Sequence, residues 1–176
     1  MTENHIQFSH QNKIFVFIIC IGLLLGLLLK LFVFEILTVS GDSMMPVISN
    51  GEKLFVSKLS YGIVKPYSDS LLCQWKTPKC GEIVIYLYDN KIVVKRCVAV
   101  SGDRLEFSLD DERNYCLTVK NQKIPLTTLQ YLNLKNSDFV PAGYILAIGD
   151  NYEVSVDSRT YGFVSEKNIL GKVIGK

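Results

Sequence analysis

The chain has 176 residues, enough for one domain with a real core and too few for two ordinary ones. Its 19 basic and 17 acidic residues nearly balance at +2, and no basic cluster interleaved with aromatics marks a nucleic-acid partner. The apolar share of 48% is inflated by one segment near the start; what remains has the make-up of a folded globular domain rather than a disordered tail.

In chain order, a short tail (1–13) leads into an apolar run, I-F-V-F-I-I-C-I-G-L-L-L-G-L-L-L-K-L-F-V-F, Ile14 to Phe34. About 20 residues are needed for a helix to cross the ~30 Å hydrocarbon layer, and this run meets that length. Lys30 sits about one turn from the far end, where its stem can snorkel to the interface. The stretch is longer than the usual apolar core of a cleaved signal sequence, and no A-x-A-like site follows, so residues 14–34 are expected to be a retained anchor. Lys13 and the amino terminus against Glu3 give a weak positive-inside bias, predicting an N-in, C-out orientation.

The anchor is followed by S-G-D-S-M-M-P, Ser40 to Pro46, and then by short, β-branched runs separated by turn residues. K-L-F-V-S-K-L (53–59), G-E-I-V-I-Y-L-Y (81–88), K-I-V-V-K-R-C-V-A-V (91–100), Y-C-L-T-V (115–119) and Y-I-L-A-I-G (144–149) read as strands. Asp89-Asn90 and the K-N-Q-K stretch at 120–123 read as hairpin tips. The segment 125–139 reads as loop, and no amphipathic helix of ten residues or more is evident. A single mostly β domain over 36–176 follows. Cys20 falls in the anchor; Cys73 and Cys80 are spaced for a loop-closing disulfide in an oxidising compartment and equally for two free thiols. No C-x-x-C pair supports zinc, and Asp110, Asp111 and Glu112 read as a solvated turn rather than a metal cage. Neither a metal nor an organic cofactor is implied.

Both histidines, His5 and His10, precede the anchor, which excludes a Ser-His-Asp triad in the domain behind it. If Ser43 is a nucleophile rather than a turn residue, its base must be another group, and lysine is an alternative partner for serine. Lys95 interrupts an apolar strand, with Val93, Cys97 and Ala99 expected on its own face and Ile92, Val94, Arg96, Val98 and Val100 on the other. Read alone, it is either an edge lysine reaching water or a desolvated amine whose lowered pKa leaves it able to accept a proton. Arg96 cannot be the base, because its guanidinium stays protonated. Gly41 permits a tight turn before Ser43, and Pro46 fixes the chain after Met44 and Met45. In G-D-N-Y-E-V-S-V-D-S-R-T-Y-G-F-V, Gly149 to Val164, Asp157 and Arg159 are spaced for a charge pair, and Ser155 for a hydrogen bond to a buried amine.

G-D-S-M-M-P (41–46), V-V-K-R-C-V-A-V-S-G-D-R (93–104) and the block from Gly149 to Val164, in this order and behind an anchor, resemble the type I signal peptidases. These are membrane-bound serine-lysine proteases that remove signal peptides from exported preproteins. The resemblance implies coiled antiparallel sheets with an apolar surface resting on the lipid bilayer, and a catalytic domain on the extracytoplasmic side of the cytoplasmic membrane. It implies Ser43 as nucleophile, Lys95 as general base, Ser155 orienting that lysine, and Asp157 and Arg159 salt-linked behind the site. Met44 and Arg96 belong to the matched blocks as supporting residues. It further implies cleavage after small residues at −1 and −3, by a monomer acting on signal-peptide-bearing preproteins. A specialised peptidase maturing one substrate, such as a pilin, fits the same blocks. One departure is Gly41, where some members carry a serine that helps bind the oxyanion; here that side-chain donor is missing.

Overall fold

The structure is a computed structural model that describes residues 3–65, 68 and 70–176. It opens with a helix, α1, over Glu3–Phe32, about 45 Å long at 1.5 Å per residue. Within it, Gln11–Lys30 is long and apolar enough to span a membrane, and none of it is buried against the rest of the chain. The helix therefore takes in most of the segment read as a tail; the side chains of His5 and His10, like Met1 and Thr2, lie outside the described residues.

α1 ends two residues before the apolar run does, because the chain there finds a strand partner. Val33 N–H still donates to Leu29 O, closing the last turn, while Val33 O accepts from Lys58 N. Phe34–Thr38 then becomes β1, paired antiparallel with β2, Lys53–Ser57, with Ile36 opposite Phe55. A short hairpin follows, β3 (Gly62–Val64) and β4 (Leu71–Gln74). Next come β5 (Ile83–Tyr88) and β6 (Lys91–Val100), joined at Asp89-Asn90 with both residues at positive φ, 50° and 57°. That is the two-residue turn whose twist suits an antiparallel hairpin. Lys120-Asn121, at φ 46° and 68°, makes the same turn inside a meander of β7 (Glu106–Leu109), β8 (Tyr115–Val119) and β9 (Gln122–Leu126). The chain closes with α2 (Thr128–Leu134), β10 (Tyr144–Ile148), α3 (Ser158–Tyr161), β11 (Val164–Ser165), a 3-10 turn (Glu166–Asn168) and β12 (Ile169–Gly175).

The main sheet runs β1-β2-β12-β5-β6-β10-β11, antiparallel at every neighbouring pair. It is strongly curled. Leu37 and Val39 at its first edge pack with Met44 and Ile48 from the connection between β1 and β2, with Leu54 and Val56 of β2, and with Ile85 and Val94 of β5 and β6 in its middle. On the opposite face of β5, Val84 and Tyr86 join Cys97, Ile145, Ala147 and Ile169. A third apolar cluster lies under the meander, where Leu117, Val119, Ile124 and Leu134 meet Val98, Ala99, Leu146 and Ile148. The domain is thus mostly β, built of coiled antiparallel sheets.

Two expectations are corrected. The alternation along β6 holds from Val93 to Cys97, which share one cluster, and then breaks. Leu146 faces Ala99 while the next residue, Ala147, faces Cys97, so Val98 is an extra residue on β6. This bulge turns Ala99 away from Cys97 and into the cluster of Val98. The supposed loop at 125–139 contains α2, which begins in a capping box: Gln130 N–H donates to Thr127 Oγ1 and Thr127 N–H to Gln130 Oε1. The helix is too short to show periodicity, so the box T-T-L-Q was its only signal.

Leu117 is fully buried between β7, β9 and the main sheet. Leu117→Ala is expected to lower unfolding free energy by about 2–5 kcal/mol, read as a shift in denaturant midpoint at unchanged slope by circular dichroism.

Candidate functional site

Ser43 lies in the connection between β1 and β2, which is held as a compact turn. Val39 N–H donates to Glu52 O and Gly51 N–H to Val39 O, both at 2.9 Å, closing the neck of the loop. Met45 N–H donates to Asp42 O at 3.1 Å and Ile48 N–H to Met44 O at 2.9 Å, so the chain turns tightly around Ser43. Gly41 has φ +101°, a conformation that favours glycine, and its N–H donates to Asn50 Oδ1. Met44, at 1% exposure, plugs the core below and pins the turn to the sheet. The bond between Met45 and Pro46 is cis.

Lys95, on the middle of β6, is only 4% exposed, and its Nζ donates to Ser43 Oγ at 2.8 Å across 52 residues of sequence. Burial pushes its pKa below that of an ordinary lysine. The Asp157 carboxylate pulls it back up, and the Arg159 guanidinium pushes it down again. An amine in this position is one that sheds its proton more readily than a solvated lysine, at hydrogen-bond distance from a hydroxyl. The chemistry available is proton transfer between Ser43 Oγ and Lys95 Nζ.

Arg96, next along the strand, points elsewhere. It forks onto Asp150 through two bonds of 2.7 Å and gives a third to Gly81 O at 2.9 Å. This bidentate pair ties β6 to the start of the 149–157 segment. The rest of that segment is organised around Arg159, 1% exposed. Its side chain bonds both oxygens of the fully buried Asp157 at 2.9 Å, and also Tyr152 O at 3.0 Å and Pro125 O at 3.3 Å. Asp157 in turn accepts Gly149 N–H at 3.1 Å, and Ser158 Oγ accepts Ala147 N–H at 3.0 Å. The charge pair expected from the spacing is therefore formed, and it staples a polar loop to the end of β10. α3 is anchored by Tyr161, stacked on Tyr88 with ring centroids 3.9 Å apart and hydrogen-bonded through its hydroxyl to Tyr86.

Ser155 departs from the expectation set for it. Its Oγ is buried and has no hydrogen-bond partner among the described residues, so the bond that would orient Lys95 is not made in this arrangement. It stands close to the nucleophile turn nonetheless: a Cβ added to Gly149 would collide with both Ser155 Oγ and Ser43 O. Three residues that sequence reasoning did not single out complete the site. Asp150 receives Arg96, Gly149 permits the close approach, and Asn151 donates its N–H to Ser43 O at 3.0 Å and its Nδ2 to Asp42 O at 3.2 Å. All three stand in the quoted G-D-N, but nothing in the spacing linked them to residues more than fifty positions away.

A cleft of about 170 Å³ opens above Ser43. One wall is Leu37–Ser40, the end of β1 and the two residues that follow it; the other is Ile92–Lys95. Both walls are open strand edges. Among the described residues, β1 pairs only with β2, while β10 covers β6 only from Arg96 to Val100, leaving 91–95 unpaired on that side.

The cysteines expected as a bridge or as two thiols are free: Cys73 and Cys80 are both exposed, and Cys80 Sγ lies 2.9 Å from Val98 O. Removing Asp157 would leave Arg159 charged in the core. Asp157→Ala is expected to cost about 3–5 kcal/mol of stability, measurable by urea unfolding.

Comparison with known proteins supplies a family. The model described as "Signal peptidase, peptidase S26" matches residues 11–175. Signal peptidase IB of Staphylococcus aureus (strain N315) is 33% identical over 154 residues, spanning 77% of this chain and 73% of that protein. Signal peptidase I of Buchnera aphidicola subsp. Baizongia pistaciae is 25% identical over 224 residues, spanning 86% and 72%. Among solved structures, a signal peptidase I from Enterococcus faecalis V583 aligns with 22% identity and a TM-score of 0.39 over 56% of this chain and 97% of that one. With the match extending from within the apolar helix to the last strand, this chain belongs to the signal peptidase, peptidase S26 family, and is a peptidase with an apolar N-terminal helix.

Proposed function

We propose that the protein is a membrane-anchored serine endopeptidase that removes N-terminal signal peptides from exported preproteins, with Ser43 as nucleophile and Lys95 as general base. The observation that carries this reading is the 2.8 Å contact between Lys95 Nζ and Ser43 Oγ, with the amine buried and its pKa depressed. The apolar stretch of α1, up to Phe32, anchors the chain, and the sheets from β1 onward form the peptidase domain, working as a monomer on the extracytoplasmic side of the cytoplasmic membrane. The exposed Phe34, Ile36 and Phe55, adjacent across β1 and β2 beside the helix end, are suited to resting on the bilayer.

The substrate lies extended in the cleft between the β1 edge and the 91–95 edge, adding backbone hydrogen bonds to both. The narrow cleft, walled by Leu37, Val39, Val93 and Val94, favours small side chains at −1 and −3. With Lys95 neutral, Ser43 Oγ attacks the scissile carbonyl carbon and its proton passes to Nζ. The C–N bond then breaks, the Lys95 ammonium returns the proton to the departing amine of the mature chain, and an ester links the signal peptide to Ser43. Water, deprotonated by the same amine, attacks that ester; the proton returns to Ser43 Oγ, freeing the signal peptide. Asp157 and Arg159 hold the loop behind the amine, Arg96 and Asp150 hold β6 to that loop, and Met44 seats the turn.

The test is cleavage of a preprotein by the full chain in detergent, with the cut mapped by mass spectrometry. Wild type is expected to cut after small-x-small, and Ser43→Ala and Lys95→Ala each to lower the rate more than ~1,000-fold with unchanged circular dichroism. Retained cleavage in either variant rules the assignment out. Because only the deprotonated amine works and its pKa is lowered, the rate should rise with pH along a limb whose midpoint lies below that of a free lysine, about 10.4. A flat profile in wild type, with folding unchanged over that range, contradicts the role of Lys95.

A further inference from the structure

We propose that Asn151 is a positioning residue for oxyanion binding: through its side chain it fixes and polarises the Asp42–Ser43 peptide group, whose N–H is the donor to the tetrahedral intermediate. The inference rests on Ser43 being the nucleophile and concerns how the site copes with glycine at position 41.

When Ser43 Oγ adds to the scissile carbonyl, the negative charge on the former carbonyl oxygen needs a nearby donor. Gly41 brings no side-chain donor, and its N–H is engaged with Asn50 Oδ1 at 3.3 Å. Among the described residues, the Ser43 N–H donates to no protein acceptor, and it sits on the same residue as the attacking oxygen. A donor of this kind is only as good as its aim. The peptide group is planar and trans, so the Asp42 C=O and the Ser43 N–H point in opposite directions from one rigid plate. Whatever holds the carbonyl therefore aims the N–H.

Two groups hold that carbonyl, Met45 N–H at 3.1 Å from within the turn and Asn151 Nδ2 at 3.2 Å from outside it. Asn151 grips the next peptide as well, its own N–H donating to Ser43 O at 3.0 Å. One residue thus clamps the plates on both sides of the nucleophile. Because Asp42 O can only accept, the side chain must present its NH2 there. Hydrogen bonds received by a carbonyl draw electron density from its amide and strengthen what the N–H can donate. Asn151 is itself secured, since its carbonyl accepts Ser155 N–H at 3.1 Å, and the loop around it is stapled by Asp157 and Arg159.

The experiment compares wild type, Asn151→Ala and the isosteric Asn151→Asp, whose carboxylate cannot donate to Asp42 O at neutral pH. All three keep the backbone N–H that bonds Ser43 O. Steady-state cleavage of a peptide with a small-x-small site is measured alongside binding of two probes of that sequence. One ends in an aldehyde, which Ser43 converts to a tetrahedral hemiacetal whose oxygen takes the place of the oxyanion, the serine proton passing to that oxygen or to Lys95, and the other ends in an unreactive carboxamide. Both variants are expected to lose about 10- to 100-fold in kcat, with KM within about twofold; in Asn151→Ala, which adds no charge near Lys95, the midpoint of the pH profile should be unmoved. Affinity for the aldehyde should fall in the same proportion and affinity for the carboxamide should hold. Unchanged kcat in Asn151→Asp, or equal losses for the two probes, overturns the proposal while leaving Ser43 in place if Ser43→Ala is inactive in the same assay. Cleavage by Ser43→Ala would overturn both.

Discussion

Everything near the proposed nucleophile depends on keeping one lysine dry. An ammonium is costly to remove from water, so a lysine at 4% exposure biases its own equilibrium toward the neutral amine. A carboxylate within bonding distance would cancel that bias. Asp157 is near enough to be felt, but both its oxygens are committed to Arg159 and to backbone N–H groups, and the Arg159 guanidinium opposes its pull on Lys95. A buried ion pair is weak evidence for stability in its own right. Its value here is that it builds the loop without supplying a counter-ion to the amine.

The same economy governs the nucleophile turn. Ser43 sits on a connection that would be free to vary in conformation if only its own residues held it. It is fixed from below by Met44 in the core, at its neck by the ladder between Val39 and Glu52, and from the side by Asn151. Gly149 lets the two loops approach, because any side chain there would strike Ser43 O and Ser155. Arg96 with Asp150 fastens the strand carrying Lys95 to the loop carrying Asn151, so serine and lysine are referred to one frame.

What could be read from sequence followed the strength of local signals. β2, β5, β6, β8 and β10 are β-branched runs bounded by turn residues, and all were legible; so were the tips at Asp89-Asn90 and Lys120-Asn121. β12 escaped because I-L-G-K-V-I-G mixes glycine with apolar residues, and its Gly171 is there to let β2 approach, a tertiary reason. β1 was missed because it begins on the last residue of the apolar run, and Phe34 looks like membrane helix until Ser57 is found opposite it. The bulge at Val98 depends on β10 and leaves no local mark. At the site, Ser43, Lys95, Asp157 and Arg159 were legible as an ordered set behind an apolar run rather than singly, because a serine in a turn, a lysine in a strand and a two-apart charge pair each have an ordinary structural reading on their own. The contacts of Gly149, Asp150 and Asn151 were not, because each is defined by a partner in a distant segment.

The partly covered β6 has a consequence for what can be handled at this surface. An open edge accepts only a chain that offers its amides and carbonyls sideways, which a helix cannot do because it spends them on itself. A segment leaving the bilayer as a helix would have to unwind before reaching the gap between β1 and residues 91–95. Recognition would then be sorted first by the ease of local melting, with glycine and proline near the end of an apolar helix lowering that cost, and only afterwards by side-chain size. A chain that stays helical through the same stretch, as α1 itself does up to Phe32, would pass the cleft without engaging it.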